Sequence, residues 1–222
     1  MNILQRLSEI IAGTKNCVIF EIGACDGAHT NIMCNIIKKS GIVDFSFHAF
    51  EPSPDLTNQF LSRNLQHFPN LKFVPAAVGG IDGTVDFYLS SGEETRKEHF
   101  KQSFYGSSSI KQPHNVLVCF PDIKFKKIQS ECYRLDTYCT EQKIDKVDFI
   151  WADVQGAESD MIEGGKNIFK KTRYLYTEVA NDGYVNPGYD GVKELVSLLP
   201  GNWSVVEEYE SDVLFKNESF GS

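Results

Sequence analysis

The sequence has few of the features that would link a protein to a membrane or to nucleic acid. No apolar run approaches the roughly 20 residues that a helix needs to cross a bilayer, and the N-terminus carries no secretory signal pattern. Lysine and arginine total 22 against 30 acidic residues, which gives a net charge of −8, and they form no basic stripe. A protein that neutralises a nucleic acid backbone normally shows such a stripe. We therefore expect a cytoplasmic protein with no membrane span and no nucleic acid partner.

Patterns typical of metal sites and disulfides are also missing. The six cysteines show no C-x-x-C spacing, and the five histidines include no i, i+4 pair. We interpret the cysteines as reduced thiols. The length of 222 residues and the hydrophobic fraction of 41% fit one globular domain of ordinary size. We predict a single domain over residues 1–222, with an amphipathic N-terminal helix within residues 1–13.

The most informative stretch of the sequence runs from Cys17 to Thr30. An apolar run leads into Glu21, glycines follow at Gly23 and Gly27, and a plausible helix begins directly after them. This is the order of a buried strand, a tight turn and a helix N-terminus, and glycine permits both the turn and the close approach of a ligand. A turn without any ligand has the same pattern, so the stretch alone does not establish a binding site.

The next predicted strand supports a nucleotide-like ligand. Residues 45–50 are apolar and aromatic, and Glu51 follows them, 24 residues after Gly27. An acid at the end of the second strand, about 20 residues after the glycine turn, binds ribose hydroxyls in many βαβ units. The glycines do not form the G-x-G-x-x-G pattern of pyrophosphate binders, and the carboxylate of Glu21 suits an ammonium group. S-adenosylmethionine (SAM) has an ammonium group and no phosphate.

Four short motifs then follow one another along the chain. They are E-I-G-A-C-D-G at 21–27, F-E-P-S-P at 50–54, A-A-V-G at 76–79 and D-V-Q-G-A-E at 153–158. Together they resemble the D-x-G-A-N-x-G, F-E-P-x-P, A-V-x and D-V-E-G-A-E motifs of the FkbM-type methyltransferases, in the order that this family has them. The resemblance covers most of the chain, and the four motifs together are specific.

Three departures from the family pattern bear on function. Glu21 stands where the family has Asp, which is a chemically mild change, and Cys25 stands where it has Asn. Trp151 and Ala152 replace the Lys-Ile pair before the family's Asp, so a cation is missing near the expected site. This last change leaves the acceptor open. It also keeps an alternative, in which the chain is a catalytically inactive SAM-binding module that acts as a partner of another enzyme.

The resemblance implies a Rossmann-like class I methyltransferase fold, and the order of predicted elements agrees with it. Alternating strands and helices predict an α/β protein with a doubly wound, mostly parallel, seven-stranded sheet. Two apolar runs, 203–206 and 213–215, predict a C-terminal antiparallel hairpin. Between the two halves of the sheet, residues 116–135 predict two short strands around Pro121. The long polar stretch at 90–115 predicts a lid loop.

The resemblance implies an SAM-dependent O-methyltransferase that acts on a hydroxyl of a sugar, a glycan or a secondary metabolite. A dehydrogenase is a weaker alternative, because the glycine spacing lacks the pyrophosphate pattern. In open α/β sheets the ligand binds beyond the carboxyl ends of the strands. The expected cofactor-binding residues there are Glu21, Gly23, Ala24, Asp26, Gly27, Thr30, Glu51, Pro52, Ala76, Ala77, Ser108, Asp153, Val154 and Gln155.

Two acids are the expected catalytic residues. Asp153 and Glu178 end the fourth and fifth strands of the predicted sheet, and Asp153 is the first candidate for the base that takes the proton of the acceptor hydroxyl. A different hypothesis has these acids, with Asn181 or Asp182, hold a magnesium or manganese ion, because carboxylate and amide oxygens suit such ions. Each acid could also be a solvated residue at a strand end, an explanation that is stronger for Glu178 than for Asp153. His29 is another conceivable base.

Other side chains near the expected site have less specific patterns. His114, in the polar stretch, is a further conceivable base. Tyr105, Trp151, Tyr184 and Tyr189 could offer a stacking face to a sugar. For each of them, ordinary packing or a surface position is the more common explanation.

Overall fold

A computed structural model describes residues 2–64, 67–92, 104–113, 116–119, 121–179 and 191–221. Several expectations from the sequence fall on residues outside these ranges, namely half of the predicted lid and His114, Asn181, Asp182, Tyr184 and Tyr189. Over the described ranges, no helix is both long enough and apolar enough to span a bilayer.

Strands and helices alternate along most of the chain. The strands are β1 (Cys17–Ile22), β2 (Phe45–Phe50), β3 (Leu71–Val74), β4 (Ala77–Val78), β5 (Gly83–Ser91), β6 (Lys124–Tyr133), β7 (Val147–Ala152), β8 (Thr172–Glu178), β9 (Trp203–Glu208) and β10 (Asp212–Asn217). The helices are α1 (Ile3–Ile11), α2 (Ala28–Lys39), α3 (Pro54–Asn64), α4 (Val116–Cys119), α5 (Leu135–Gln142), α6 (Glu158–Gly164), α7 (Lys166–Lys170) and α8 (Gly191–Leu198), with a 3-10 helix at Phe104–Ser107.

Seven strands form the main sheet in the order β3-β2-β1-β7-β8-β10-β9. The first five in this order pair in parallel, and β10 runs antiparallel to both β8 and β9. The predicted class I methyltransferase sheet with its C-terminal hairpin is therefore confirmed. Ile22 of β1 aligns with Phe50 of β2 and with Ala152 of β7. The residues that follow these three strands consequently meet at one edge of the sheet.

Helices cover both faces of the main sheet, and its central strands are therefore buried on both sides. All six residues of β7 are buried. Leu7 of α1, Met33 of α2 and Phe60 of α3 pack on one face, and Leu135 of α5 and Met161 of α6 pack on the other. Burying such a side chain stabilises the fold by about 1.5–3 kcal/mol. The predicted amphipathic helix at the N-terminus is present as α1.

A second sheet, in the order β4-β6-β5, lies outside the sequence prediction. Of the two short strands predicted around Pro121, the first is wrong, because Val116–Cys119 is the helix α4, and the second is present as part of one long strand, Lys124–Tyr133. All nine residues of β5 pair antiparallel with β6. These partners lie some 40 residues apart in sequence, so the ladder that extends β6 is not visible in the local residue pattern.

Candidate active site

A cleft opens at the carboxyl ends of β1, β2 and β7. Most of the expected cofactor-binding residues line it, namely Gly23, Ala24, Asp26, Glu51, Pro52, Ala76, Ala77, Ser108, Asp153 and Val154. The cleft is also lined by residues that are not among the expected cofactor-binding residues, namely Ile22, Cys25, Ala28, Phe50, Val78, Phe87, Gly106, Ser109, Ile110 and Ala157. Tyr105, His29 and Trp151, which had weaker patterns, also line the cleft.

The turn after β1 is fixed by close contact with the neighbouring strands. Gly23 has a φ of +87°, and a Cβ added there would lie 1.9 Å from the backbone oxygen of Asp153. The N–H groups of Gly23 and Ala24 both donate to the Phe50 carbonyl at 2.9 Å, and the Asp153 N–H donates to the Ile22 carbonyl at 2.9 Å. Only glycine fits at position 23, because both the sign of φ and the space exclude a side chain.

Glu51 connects the end of β2 to this turn. Its Oε2 accepts a hydrogen bond from the Cys25 N–H at 2.8 Å, and its Oε1 accepts one from the Ser53 N–H at 2.7 Å. The side chain is 6% exposed, and burial raises its pKa to about 7, against the opposing effect of the two N–H donors. Each carboxylate oxygen has two lone pairs, so the group can accept further hydrogen bonds from the hydroxyls of a ligand in the cleft.

Glu21 lies behind the cleft wall rather than in it. The residue is 1% exposed and accepts a hydrogen bond from the hydroxyl of Thr30 in α2. Burial raises the pKa of Glu21 to about 8, and the nearby carboxylates of Glu51 and Asp153 add to this effect. Glu21, Thr30 and Gly27 are thus not among the residues that line the cleft. They support the glycine turn from behind.

Asp153 follows β7, and its side chain stands in the cleft, where solvent can still reach it. Desolvation by the surrounding protein raises the pKa of its carboxyl, although the hydrogen bond from Gln155 acts in the opposite direction. Gln155, held in the left-handed region at a φ of +51°, donates from Nε2 to Asp153 Oδ1 at 2.6 Å and to Glu178 Oε2 at 3.0 Å. Gln155 and Glu178 do not line the cleft. They orient Asp153 from behind.

Ser108, one of the expected cofactor-binding residues, lines the cleft, and its hydroxyl already makes hydrogen bonds within the protein. Ser108 Oγ accepts a hydrogen bond from the Ser90 N–H at 3.0 Å and donates to the Tyr105 carbonyl at 3.2 Å. The neighbouring Ser109 donates from Oγ to the Val154 carbonyl at 3.1 Å. The segment around Ser108 therefore shapes the cleft wall and connects β5 to the loop after β7.

Glu158 belongs to the fourth motif, at 153–158, and is not among the site residues that the sequence predicts. It begins α6, is 7% exposed, and accepts a hydrogen bond from the Gly156 N–H at 3.4 Å. Burial raises the pKa of Glu158 to about 7, and the carboxylate of Asp153 adds to the shift. Its place in the fourth motif is the signal that could have found it.

The charge of the cleft is acidic. Asp26, Glu51 and Asp153 line it, and no lysine or arginine is among the lining residues in the described ranges. Arg63 pairs with Asp26 at 2.6 Å. Grouped carboxylates repel one another and lose hydration on burial, so a bound cation is favourable there. Across the described part of the chain, no group of three or more His, Cys, Asp or Glu is placed to hold a metal ion.

Fold and cleft together define the protein as a class I methyltransferase. The chain belongs to the FkbM methyltransferase family, because the model of the Methyltransferase FkbM domain matches residues 21–197. As the sequence predicts, it is therefore an SAM-dependent enzyme. The chain is also 33% identical over 205 residues to the 2-O-methyltransferase NoeI of Sinorhizobium fredii (strain NBRC 101917 / NGR234), covering 90% of this chain and 79% of that relative.

Solved structures show the same fold at low sequence identity. A proposed rRNA-methylase from Clostridium thermocellum superposes with a TM-score of 0.50 and covers 97% of both chains. The two sequences are 7% identical, so this likeness concerns the fold alone.

Proposed function

We propose that the chain transfers the methyl group of SAM to a hydroxyl of a sugar or glycan. The observation that carries the proposal is the 33% identity to a 2-O-methyltransferase over 90% of the chain, which supports oxygen as the acceptor atom. The sugar follows from the family resemblance. The acidic cleft and the net charge of −8 favour a small-molecule acceptor over RNA, whose phosphates they would repel.

The residues of the cleft fit SAM. Glu51 has lone pairs left for the two ribose hydroxyls, and the backbone at Gly23 and Ala24 can lie along the methionine part, because no Cβ stands at position 23. Ala76 and Ala77 leave room for a flat adenine. The acidic lining suits a ligand with an ammonium and a sulfonium group. When bound, SAM supplies a methyl group on a positively charged sulfur, and this methyl group is activated for attack by oxygen.

Asp153 is the base in the mechanism that we propose. With SAM bound, the acceptor oxygen would form a bond to the methyl carbon as the methyl–sulfur bond breaks, the bonding electron pair would stay on the sulfur of the departing thioether, and the hydroxyl proton would pass to the Asp153 carboxylate. The protein atoms around this carboxyl remove part of its hydration and raise its pKa, which makes the carboxylate a better proton acceptor than a fully solvated one. Oδ1 of Asp153 accepts the hydrogen bond from Gln155, so Oδ2 is left to accept the proton of the acceptor hydroxyl. Alignment of the two reacting atoms supplies much of the remaining rate enhancement.

The proposed mechanism uses no metal ion, unlike the magnesium or manganese hypothesis for Asp153 and Glu178. The amide Nε2 of Gln155 lies within hydrogen-bonding distance of both acids, so a metal held by the two would have to displace it. The amide already reduces the repulsion between the two carboxylates. We expect full activity in excess chelator. Loss of activity with chelator and recovery with magnesium or manganese would contradict the metal-free mechanism.

The test of the proposed function is a screen with isotopically labelled SAM and a panel of sugars and glycans, read by mass spectrometry. We expect a single added methyl group on one hydroxyl. Asp153→Asn keeps the size of the side chain and removes the base, so activity should fall by about 100-fold or more, while SAM binding persists. SAM binding without transfer to any acceptor would instead support the alternative of a catalytically inactive module.

A further inference from the structure

The side of the cleft next to Asp153 carries an aromatic wall. His29, in the first turn of α2, is exposed, and its ring lies 5.1 Å from the ring of Trp151 at an angle of 35°. Both residues line the cleft together with Asp153. Trp151 and Asp153 are two residues apart at the end of β7, so the aromatic wall adjoins the proposed base.

Aromatic packing from behind holds Trp151 in place. The residue is 8% exposed, and its ring meets the ring of Tyr176 edge to face at 4.6 Å. Tyr176 in turn packs against Tyr209 with ring centroids 5.5 Å apart. Edge-to-face pairs of this kind stabilise their arrangement beyond simple burial. A wall that is fixed before a ligand arrives costs little further ordering when the ligand binds.

His29 has polar groups to offer to a ligand. Within the described part of the chain, no hydrogen bond involves either of its ring nitrogens. A neutral imidazole ring has one donor and one acceptor. His29 can therefore bind a hydroxyl group while the adjoining rings contact the apolar face of the same molecule.

The charges around this wall select against an anionic acceptor. Asp153 adjoins the wall and Glu51 lies in the same cleft, with no lysine or arginine among the lining residues in the described ranges. Like charges brought together at a binding site oppose binding and so select against the wrong partner. An acceptor with a carboxylate or a phosphate next to the reacting hydroxyl would meet this repulsion.

We propose that His29 and Trp151 form the acceptor subsite, and that the acceptor is an uncharged sugar ring. Its C–H face packs against the two aromatic rings, His29 binds one hydroxyl, and the neighbouring hydroxyl faces Asp153. This inference rests on the proposed function and deepens it. In this subsite, the aromatic ring of Trp151 stands at the position two residues before Asp153 where the family has a lysine.

The first experiment separates acceptor binding from cofactor binding. His29→Ala should raise the acceptor KM about ten-fold or more, because it removes a hydrogen bond and a contact face. The Kd of SAM, measured by calorimetry, should stay within about two-fold, since His29 lies outside the residues expected to hold SAM. His67→Ala is the matched control, because His67 is also exposed and does not line the cleft. An unchanged acceptor KM in His29→Ala overturns the proposal.

The second experiment tests the charge of the acceptor. Neutral methyl hexopyranosides, hexuronates and hexose phosphates are offered to the wild-type enzyme with SAM. We expect methylation of a neutral hexopyranoside, with kcat/KM at least about ten-fold above that of either charged class. Preference for a hexuronate or a hexose phosphate overturns the subsite while leaving the O-methyltransferase function in place. Methylation of no sugar at all, with SAM bound, overturns both the subsite and the proposed function.

Tryptophan fluorescence gives a readout independent of turnover. The chain has two tryptophans, Trp151 and Trp203, and Trp203 packs against Phe169 on the opposite side of the fold from α2. In a Trp203→Phe variant, the preferred methyl hexopyranoside should shift the emission of Trp151, and His29→Ala should abolish or reduce that shift. Saturation with this sugar, at a concentration that supports turnover, without any change in emission contradicts contact with Trp151.

Discussion

Glu51 is held between two backbone N–H groups and faces the cleft with the rest of its carboxylate. We expect Glu51→Ala to weaken SAM binding by about 2 kcal/mol or more, because charge-assisted hydrogen bonds to the ribose are lost. The free energy of unfolding should also fall, by about 1–3 kcal/mol, because the N–H groups of Cys25 and Ser53 lose their acceptors. Calorimetry and denaturant unfolding measure the two effects.

Glu158 provides the matched control for this residue-scale prediction. It is a second buried acid with a pKa raised to about 7, and it does not line the cleft. Glu158→Ala should lower the free energy of unfolding while the Kd of SAM stays close to that of the wild type. Wild-type SAM affinity in Glu51→Ala would rule out its role at the ribose.

At the scale of elements, β5 and the segment at 104–113 bring the second sheet to the cleft. Ser109 and Tyr88 exchange two backbone hydrogen bonds, of 2.8 and 3.2 Å, and Ser109 Oγ donates to the Val154 carbonyl. We expect SAM plus acceptor to slow amide exchange in this segment more than in β7, because contacts with the ligands reduce local opening of the segment. Hydrogen-exchange mass spectrometry measures the difference. Ser109→Ala, which loses the bond to Val154, should show less of this protection.

The sequence predicted those elements whose signal is local. The apolar runs at β1, β2 and β7 and the glycine turn after β1 were sufficient for the main sheet and for the position of the cleft. The full length of β6 is not visible in the sequence because its pairing with β5 is non-local, and the sequence predicts a strand at α4 because four apolar residues, Val116–Cys119, suit either element. The bridge from Gln155 to Asp153 and Glu178 depends on a positive φ that residue type does not reveal.

For the whole molecule, the buried acids make stability depend on pH. Burial raises the pKa of Glu21 to about 8 and those of Glu51 and Glu158 to about 7, from ordinary values near 4.5. The pKa of each of these carboxyls is higher in the folded than in the unfolded state. Their contribution to the free energy of unfolding is therefore complete below pH 4.5 and is lost as the pH rises through 7 to 8. We expect the protein without ligand to have a lower Tm at pH 8.5 than at pH 5.5, by thermal unfolding.

Glu21→Gln is the control for this pH dependence. The amide oxygen of glutamine can still accept the hydrogen bond of Thr30, and the side chain no longer ionises, so the difference in Tm between the two pH values should shrink. An equal or higher Tm at pH 8.5 in the wild-type protein would contradict the effect of the buried acids.

The two walls of the cleft differ in how they are built, which matters for engineering. The turn at Gly23 is set by backbone hydrogen bonds and by a contact that excludes any Cβ. The proposed acceptor subsite consists instead of two side chains, those of His29 and Trp151. Libraries restricted to these two positions can therefore search for new acceptors without changing the turn that is expected to contact the methyl donor.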